Sequence, residues 1–89
     1  MTSPDLKQRL ARARFRAWHR GTREADYTFG CYYDTYHADW SETELAWFAT
    51  LLTYEDPDVL AWTMGRETPP AEMQGAQMDA LLKLDYVRI

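Results

Sequence analysis

Apolar residues recur every three or four positions along the first half of the chain, the spacing of one face of an α-helix. This pattern predicts a first helix over residues 4–20 and a second over residues 22–38. The expected buried positions are Leu6, Leu10, Ala13 and Ala17 in the first helix, and Ala25, Phe29, Tyr32 and Tyr36 in the second. Ser3 is the expected N-cap of the first helix. Gly21 separates the two patterns, and we expect it to interrupt the helix.

Start and stop signals divide the second half into three more helices. They are predicted over residues 42–53, 57–64 and 70–84. Ser41 and Glu44 have the spacing of a capping box, in which each side chain bonds the backbone of the other residue. Asp56 before Pro57 predicts an N-cap followed by a proline at the first helical position, and Gly65 a left-handed C-cap. The expected buried positions are Leu45, Phe48, Ala49 and Leu52 in the third helix, and Met73, Gln77, Ala80, Leu81 and Leu84 in the fifth.

No segment alternates between apolar and polar residues over the length of a strand, and no Asn-Gly or Asp-Gly hairpin turn occurs. The predicted fold class is therefore all-α: a single small domain, residues 1–89, made of about five short helices. A chain of 89 residues buries only about 60–65% of the surface that it exposes when unfolded. It is too small for a deep active-site cleft.

The single cysteine, Cys31, cannot form an internal disulfide, and this is typical of a reducing compartment. We expect it to act as a small buried apolar residue. No run of about 18 apolar residues is present, so we expect no membrane insertion. The basic N-terminal segment has some features of a transit peptide, but it contains Asp5 and only one serine. We therefore expect a cytoplasmic protein.

Charge is unevenly distributed along the chain. Residues 1–23 carry a net charge of +6 and residues 24–89 a net charge of −10. Helical spacing places four arginines on one side of the first helix: Arg9, Arg12, Arg16 and Arg20. Such a stripe is typical of a solvated face paired with acids, or of a surface that binds nucleic acid, an acidic protein or a phosphate-bearing cofactor. The acidic remainder of the chain argues against nucleic acid, because it would repel phosphates.

Catalytic and metal-binding patterns are weak. Asp34, His37 and Asp39 are conceivable metal ligands, but no histidine pair with helical spacing lies near an acid, and we expect no metal. Cys31 lacks the basic pocket and orienting partner that a nucleophile needs. No glycine-rich phosphate-binding loop is present. We therefore expect no catalytic residue and no stably bound cofactor.

The joint between the first two helices is the best candidate site. Gly21 is expected to supply a positive φ angle, which only glycine adopts freely. Because it has no side chain, it also leaves a flat place where a partner backbone can approach. Arg20 and Glu24 flank this place. They could pair with each other or each bind a polar group on a partner.

The residues around this joint resemble a known family. Arg20-Gly21-Thr22-Arg23-Glu24 is similar to the R-G-x-x-E motif of the succinate dehydrogenase assembly factors, of the bacterial type in particular. Asp26 also fits the family pattern. Two later blocks follow in the same order: Asp56-Pro57-Asp58 with Trp62, and Met64-Gly65-Arg66 with Pro69-Pro70. The resemblance covers about residues 9–70.

The resemblance implies a chaperone-like role and no enzymatic activity. Members of this family promote covalent attachment of FAD to the flavoprotein subunit, so the FAD belongs to the partner. The partner is expected to be the flavoprotein of succinate dehydrogenase or of fumarate reductase. The expected partner-binding residues are Arg16, Arg20, Gly21, Glu24, Asp26, Trp62 and Arg66. The second helix of this family is usually rich in aliphatic residues after the motif, whereas residues 25–33 of this chain are rich in aromatic ones. Because this helix is expected to form part of the docking surface, the difference bears on which partner is preferred.

Two other functions stay open on the sequence alone. The first is a regulatory or nucleic-acid-binding module, antitoxin-like, that uses the basic face of the first helix. The second is a small enzyme in which Glu24 acts as a base, although no second catalytic group accompanies it.

Overall fold

The computed structural model of the chain describes residues 4–88. Five α-helices form in this part: α1 Pro4–Trp18, α2 Arg23–Tyr36, α3 Glu42–Leu51, α4 Asp56–Thr63 and α5 Ala76–Lys83. Two short 3-10 helices, His37–Asp39 and Ala71–Met73, precede α3 and α5. No strand occurs among the described residues. The prediction of an all-α fold with five short helices is confirmed.

The first two helices pack closely because small residues line their contact. Ala13 and Ala17 of α1 and Ala25 of α2 are all buried. Gly30 lies against the indole ring of Trp18, and a Cβ atom at this position would overlap that ring. The glycine in the middle of α2 is therefore needed for the approach of α1, despite its low helix propensity.

Aromatic side chains of α2 fill the centre of the fold. Tyr32 is 1% exposed; its ring stacks on Phe48 at 5.9 Å between centroids and meets the edge of Tyr86 at 5.3 Å. Its hydroxyl donates to the carbonyl oxygen of Gln77 at 2.9 Å. Tyr33 is also buried and donates to the carbonyl oxygen of Leu10. Most of the aromatic residues of α2 thus belong to the core, and they are not available as a docking surface.

Several helix boundaries follow the predicted capping chemistry. The capping box at α3 is present, with the Glu44 carboxylate accepting from the Ser41 backbone N–H at 2.8 Å and the Ser41 hydroxyl accepting in return at 3.3 Å. Gly21 has a φ of 115° and Gly65 a φ of 73°, as expected for the joint and for the end of α4. The proposed N-cap Ser3 lies outside the described residues.

Other boundaries differ from the prediction. The N-cap of α4 is Glu55. Asp56 is the first residue of the helix, and its carboxylate binds Arg20 and does not cap the helix. The predicted helix 70–84 is wrong at both ends. A 3-10 turn and Gly75 precede α5, and the helix ends at Lys83. Leu84 takes a left-handed φ of 57° and is 38% exposed, so it does not continue the buried face.

Two further expectations concern the cysteine and membrane insertion. Cys31 is buried, at 7% exposure, as expected for a small apolar residue. Within residues 4–88, the helices are too short and too polar for any of them to cross a membrane.

Candidate functional site at the joint of the first two helices

The joint is locked by hydrogen bonds from both sides. α1 ends at Trp18, and the backbone N–H of Arg20 donates to the carboxylate of Asp26 at 2.6 Å. Thr22 is the N-cap of α2, and its hydroxyl accepts from the N–H of Ala25 at 3.2 Å. The second bond satisfies a backbone N–H that the start of α2 would otherwise leave unpaired. The first bond ties the turn to the first turn of α2. The turn around Gly21 is therefore fixed and does not depend on a partner for its shape.

The side chain of Arg20 turns inward and ties the joint to the loop between α3 and α4. Its Nε and Nη2 atoms both bind one oxygen of Asp56, at 2.8 and 2.7 Å. Nη1 donates to the carbonyl oxygen of Leu52 at 3.1 Å, and Nη2 to that of Tyr54 at 3.3 Å. The guanidinium carbon also lies 4.3 Å from the centre of the Phe29 ring. We call this set of contacts the Arg20 clamp.

Burial makes the Arg20 clamp costly to break from one side. The Arg20 side chain is 11% exposed and that of Asp56 is 21% exposed. Charged hydrogen bonds in such a setting are screened less by water than surface pairs are.

The predicted pairing of Arg20 with Glu24, one of the two arrangements considered for this joint, is wrong, because Arg20 pairs with Asp56. Arg20 therefore acts within the chain and organises the surface around Gly21.

The other charged residues of the motif face outward. Gly21 is exposed, and a Cβ atom built on it would meet nothing within 4 Å. Arg23 and Glu24 are exposed as well, and neither side chain has a hydrogen bond or ion pair with the part of the chain that the structure describes. The motif thus divides into an inner half, Arg20 with Asp26, and an outer half, Gly21 with Arg23 and Glu24.

An apolar groove extends from the outer half of the motif. It has a volume of about 500 Å³ and lies between the start of α2, the end of α4 and the chain that follows α5. Glu24 lies at one side of it, and its apolar lining includes Tyr27, Leu60, Met64 and Leu84. Met64 is 59% exposed. Exposed apolar surface beside unpaired charges is typical of a protein-binding site.

Three other residues predicted to bind the partner, Arg16, Trp62 and Arg66, lie outside the joint. Trp62 is 6% exposed and packs edge-on against Tyr54 at 5.2 Å between ring centroids, so it supports the loop held by the Arg20 clamp. Arg16 shares a partner with the clamp, because its Nη2 donates to the Leu52 carbonyl oxygen at 3.3 Å. Arg66 is exposed and follows the left-handed Gly65. Its side chain makes no hydrogen bond or ion pair with the described residues.

Sequence reasoning missed the partners of the Arg20 clamp. Asp56 was identified only as a helix cap, and Phe29 only as a core residue. The signal for Asp56 was present, because the block that contains it is one of those that carry the family resemblance. The apolar groove gave no such signal, since Tyr27, Met64 and Leu84 are far apart in the sequence.

The conceivable metal ligands do not form a site. Asp34 lies 3.8 Å from Arg14, and the ring nitrogen Nδ1 of His37 bonds the Tyr33 carbonyl oxygen at 2.9 Å. Among residues 4–88 there is no group of three or more histidine, cysteine, aspartate or glutamate residues that could hold a metal ion.

Comparison with known proteins settles the family. A family model described as "Flavinator of succinate dehydrogenase" matches residues 11–85, which is most of the chain. The chain belongs to this family. The flavinator match includes the joint, the Arg20 clamp and the apolar groove as far as Leu84.

Individual flavinators from bacteria are similar over much of the chain. The FAD assembly factor SdhE of Shewanella oneidensis is 39% identical over 61 residues, which are 68% of this chain and 73% of the relative. That of Acetobacter pasteurianus is 34% identical over 84 residues, 94% of this chain and 77% of the relative. That of Acinetobacter baylyi is 41% identical over 51 residues, 57% of this chain and 60% of the relative. No solved structure matches the chain.

Proposed function

We propose that this chain binds the flavoprotein subunit of succinate dehydrogenase and promotes covalent attachment of FAD to that subunit. Membership of the flavinator family supports the proposal, as do the names of the bacterial relatives. The observation that carries it is the exposure of Gly21 and Glu24 on a joint that is already fixed by internal bonds. In this proposal the chain acts by binding the flavoprotein, and the FAD is held by the flavoprotein. The expected compartment is the cytoplasm.

The joint suits recognition of a protein backbone. Gly21 presents no side chain, so a partner main chain can approach the turn directly. Glu24 can accept hydrogen bonds from donors of the partner, since its carboxylate is not used within the described chain. Because the Arg20 clamp orders the turn beforehand, binding does not bear the entropic cost of ordering it.

Assembly by binding requires a preference between conformations of the partner. The chain must bind the attachment-competent form of the flavoprotein more tightly than its other forms. A hundredfold increase in the population of that form requires a difference in binding free energy of about 2.7 kcal/mol. One or two charged hydrogen bonds at Glu24 and Arg23 are of this size.

The test is covalent flavin on the partner. The flavoprotein subunit from the same organism is expressed in a host that lacks its own assembly factor, with or without this chain. Flavin fluorescence is read in a denaturing gel, where only covalently attached FAD remains. Two variants, Gly21→Ala and Gly21→Arg, are compared. Both impose a side chain at a φ of 115°, so both bear the backbone strain, but only arginine adds bulk over the open surface.

We expect covalent flavin to depend on the chain, to persist with Gly21→Ala and to be lost with Gly21→Arg. Circular dichroism should show equal helix content in the two variants. Equal loss of flavin in both would mean that the strained turn matters and the open surface does not. Equal flavin with and without the chain would exclude this partner, and the flavoprotein of fumarate reductase would be tested next.

A further inference from the structure

Another concave surface lies between α1 and α3, next to the Arg20 clamp. We call it the arginine pocket. It has a volume of about 200 Å³, and its rim carries Arg9, Arg12 and Arg16 of α1. Its floor is apolar, with Ala13, Leu45, Ala49 and Leu52. Ala13 and Ala49 leave space between the two helices that larger side chains would fill.

The three guanidinium groups of the rim differ in how many hydrogen bonds and ion pairs they make within the described chain. Arg9 binds the carboxylate of Glu42 at 2.9 Å, so one arginine of the rim already holds a carboxylate at the edge of the pocket. Arg16 donates only a 3.3 Å bond, to the Leu52 carbonyl oxygen. Arg12 is exposed and has no side-chain hydrogen bond or ion pair with the described residues. The pocket therefore offers positive charge that residues 4–88 leave uncompensated.

The size and lining of the arginine pocket restrict its occupant. Sites for cofactors and drug-sized ligands are usually 300–1,000 Å³, and this pocket is smaller. Nucleotide bases are commonly held by aromatic stacking, and no aromatic residue lines the pocket. An acidic side chain next to an apolar one fits both the guanidinium rim and the apolar floor.

We propose that the arginine pocket is a second docking point that receives an acidic side chain and an adjoining apolar side chain from a segment of the flavoprotein partner. This inference rests on the proposed function. The pocket adjoins the Arg20 clamp, because Arg16 at the pocket rim and Arg20 of the clamp both bind the Leu52 carbonyl oxygen. One partner could therefore contact the pocket and the joint together.

Charge complementarity decides in favour of an acidic segment. Residues 1–23 have a net charge of +6, whereas the rest of the chain has a net charge of −10. An acidic partner segment is thus attracted to α1 and repelled elsewhere, which orients the encounter. A nucleic acid would meet the same repulsion over a much larger contact area.

The test compares two charge reversals on the same helix. Arg12→Glu reverses a charge at the pocket rim. Arg14→Glu makes the same change in net charge on an exposed side chain outside the pocket, where Arg14 only approaches Asp34 at 3.8 Å. Binding of the purified flavoprotein subunit, before flavin attachment, is measured by calorimetry at about 50 mM and about 500 mM salt, since screening separates surface electrostatics from apolar contacts. Duplex DNA serves as a second probe.

We expect Arg12→Glu to weaken binding of the flavoprotein about tenfold at low salt and about twofold at high salt, and Arg14→Glu to change it less than about twofold. Equal effects of the two variants would overturn the inference while leaving the proposed function intact. Tight DNA binding that Arg12→Glu abolishes would also overturn it. No binding of the flavoprotein by the unaltered chain would overturn the proposed function and this inference together.

Discussion

Removal of the Arg20 side chain should lower the stability of the fold, because Arg20 binds other parts of this chain and not the partner. In the variant Arg20→Ala, the carboxylate of Asp56 loses both of its guanidinium contacts. The carbonyl oxygen of Tyr54 loses its side-chain donor and that of Leu52 keeps only Arg16. The ring of Phe29 loses its covering cation. Apart from its packing, the loop between α3 and α4 would then be tied to α1 only by the bond from Arg16 to the Leu52 carbonyl oxygen.

The expected cost is a large part of the stability of the domain. Removing one member of a buried ion pair costs about 3–5 kcal/mol. We expect the lower end, about 3 kcal/mol, because the Asp56 side chain is 21% exposed and water can partly replace the lost donors. A domain of 89 residues has a stability of about 4–13 kcal/mol. The melting temperature should therefore fall by about 12–24 °C.

Urea unfolding, followed by circular dichroism and tryptophan fluorescence, measures this effect. Arg23→Ala is the matched control, since it removes an arginine of the same motif that has no side-chain partner in the described chain; its unfolding free energy should change by less than about 0.5 kcal/mol. Asp56→Ala and the double variant complete a cycle that isolates the pair. An Arg20→Ala variant as stable as the unaltered chain, but unable to bind the flavoprotein, would refute the assignment of Arg20 to the inner half of the motif.

Two further predictions concern the core. Gly30→Ala should lower the unfolding free energy by about 1–2 kcal/mol and alter the tryptophan fluorescence, because the added methyl group displaces the Trp18 ring; a gain in stability would show that this ring moves aside freely. Burial raises the pKa of the Tyr32 and Tyr86 hydroxyls above the ordinary value of 10. The native state therefore keeps these protons where the unfolded chain has lost them. Stability from these two groups is complete below about pH 10 and falls above it, by up to about 1.4 kcal/mol per pH unit for each hydroxyl. Urea unfolding between about pH 9 and pH 11 checks this slope, and a stability that does not fall above about pH 10 would contradict it.

Local chemistry made much of the fold predictable from the sequence. The capping box at Ser41 depends only on two residues three positions apart, and it forms as expected. The positive φ of Gly21 likewise follows from a glycine between two helical patterns. Such features do not depend on the rest of the chain, so the sequence alone is enough to find them.

Tertiary contacts explain where the predictions were wrong. Asp56 has the sequence signature of an N-cap, but its carboxylate binds Arg20, which is 36 residues away. Leu84 fits the apolar spacing of α5, yet the helix ends before it and the residue lines the groove beside Met64. At Asp56 a contact with a distant segment overrides the local preference, and no local pattern reports that contact. At Leu84 the backbone turns to a left-handed conformation that the apolar spacing does not indicate.

The central claim is that the outer half of the motif binds the partner, while the inner half holds the turn that presents the outer half. Its most direct test is the affinity of Glu24→Gln for the flavoprotein subunit, with Asp79→Asn as the control. Both acids lie in the first turn of a helix, so both changes remove the same favourable interaction with the helix dipole. We predict that Glu24→Gln weakens binding about tenfold while its unfolding free energy stays within about 0.5 kcal/mol of that of Asp79→Asn. Unchanged affinity with Glu24→Gln would contradict the account.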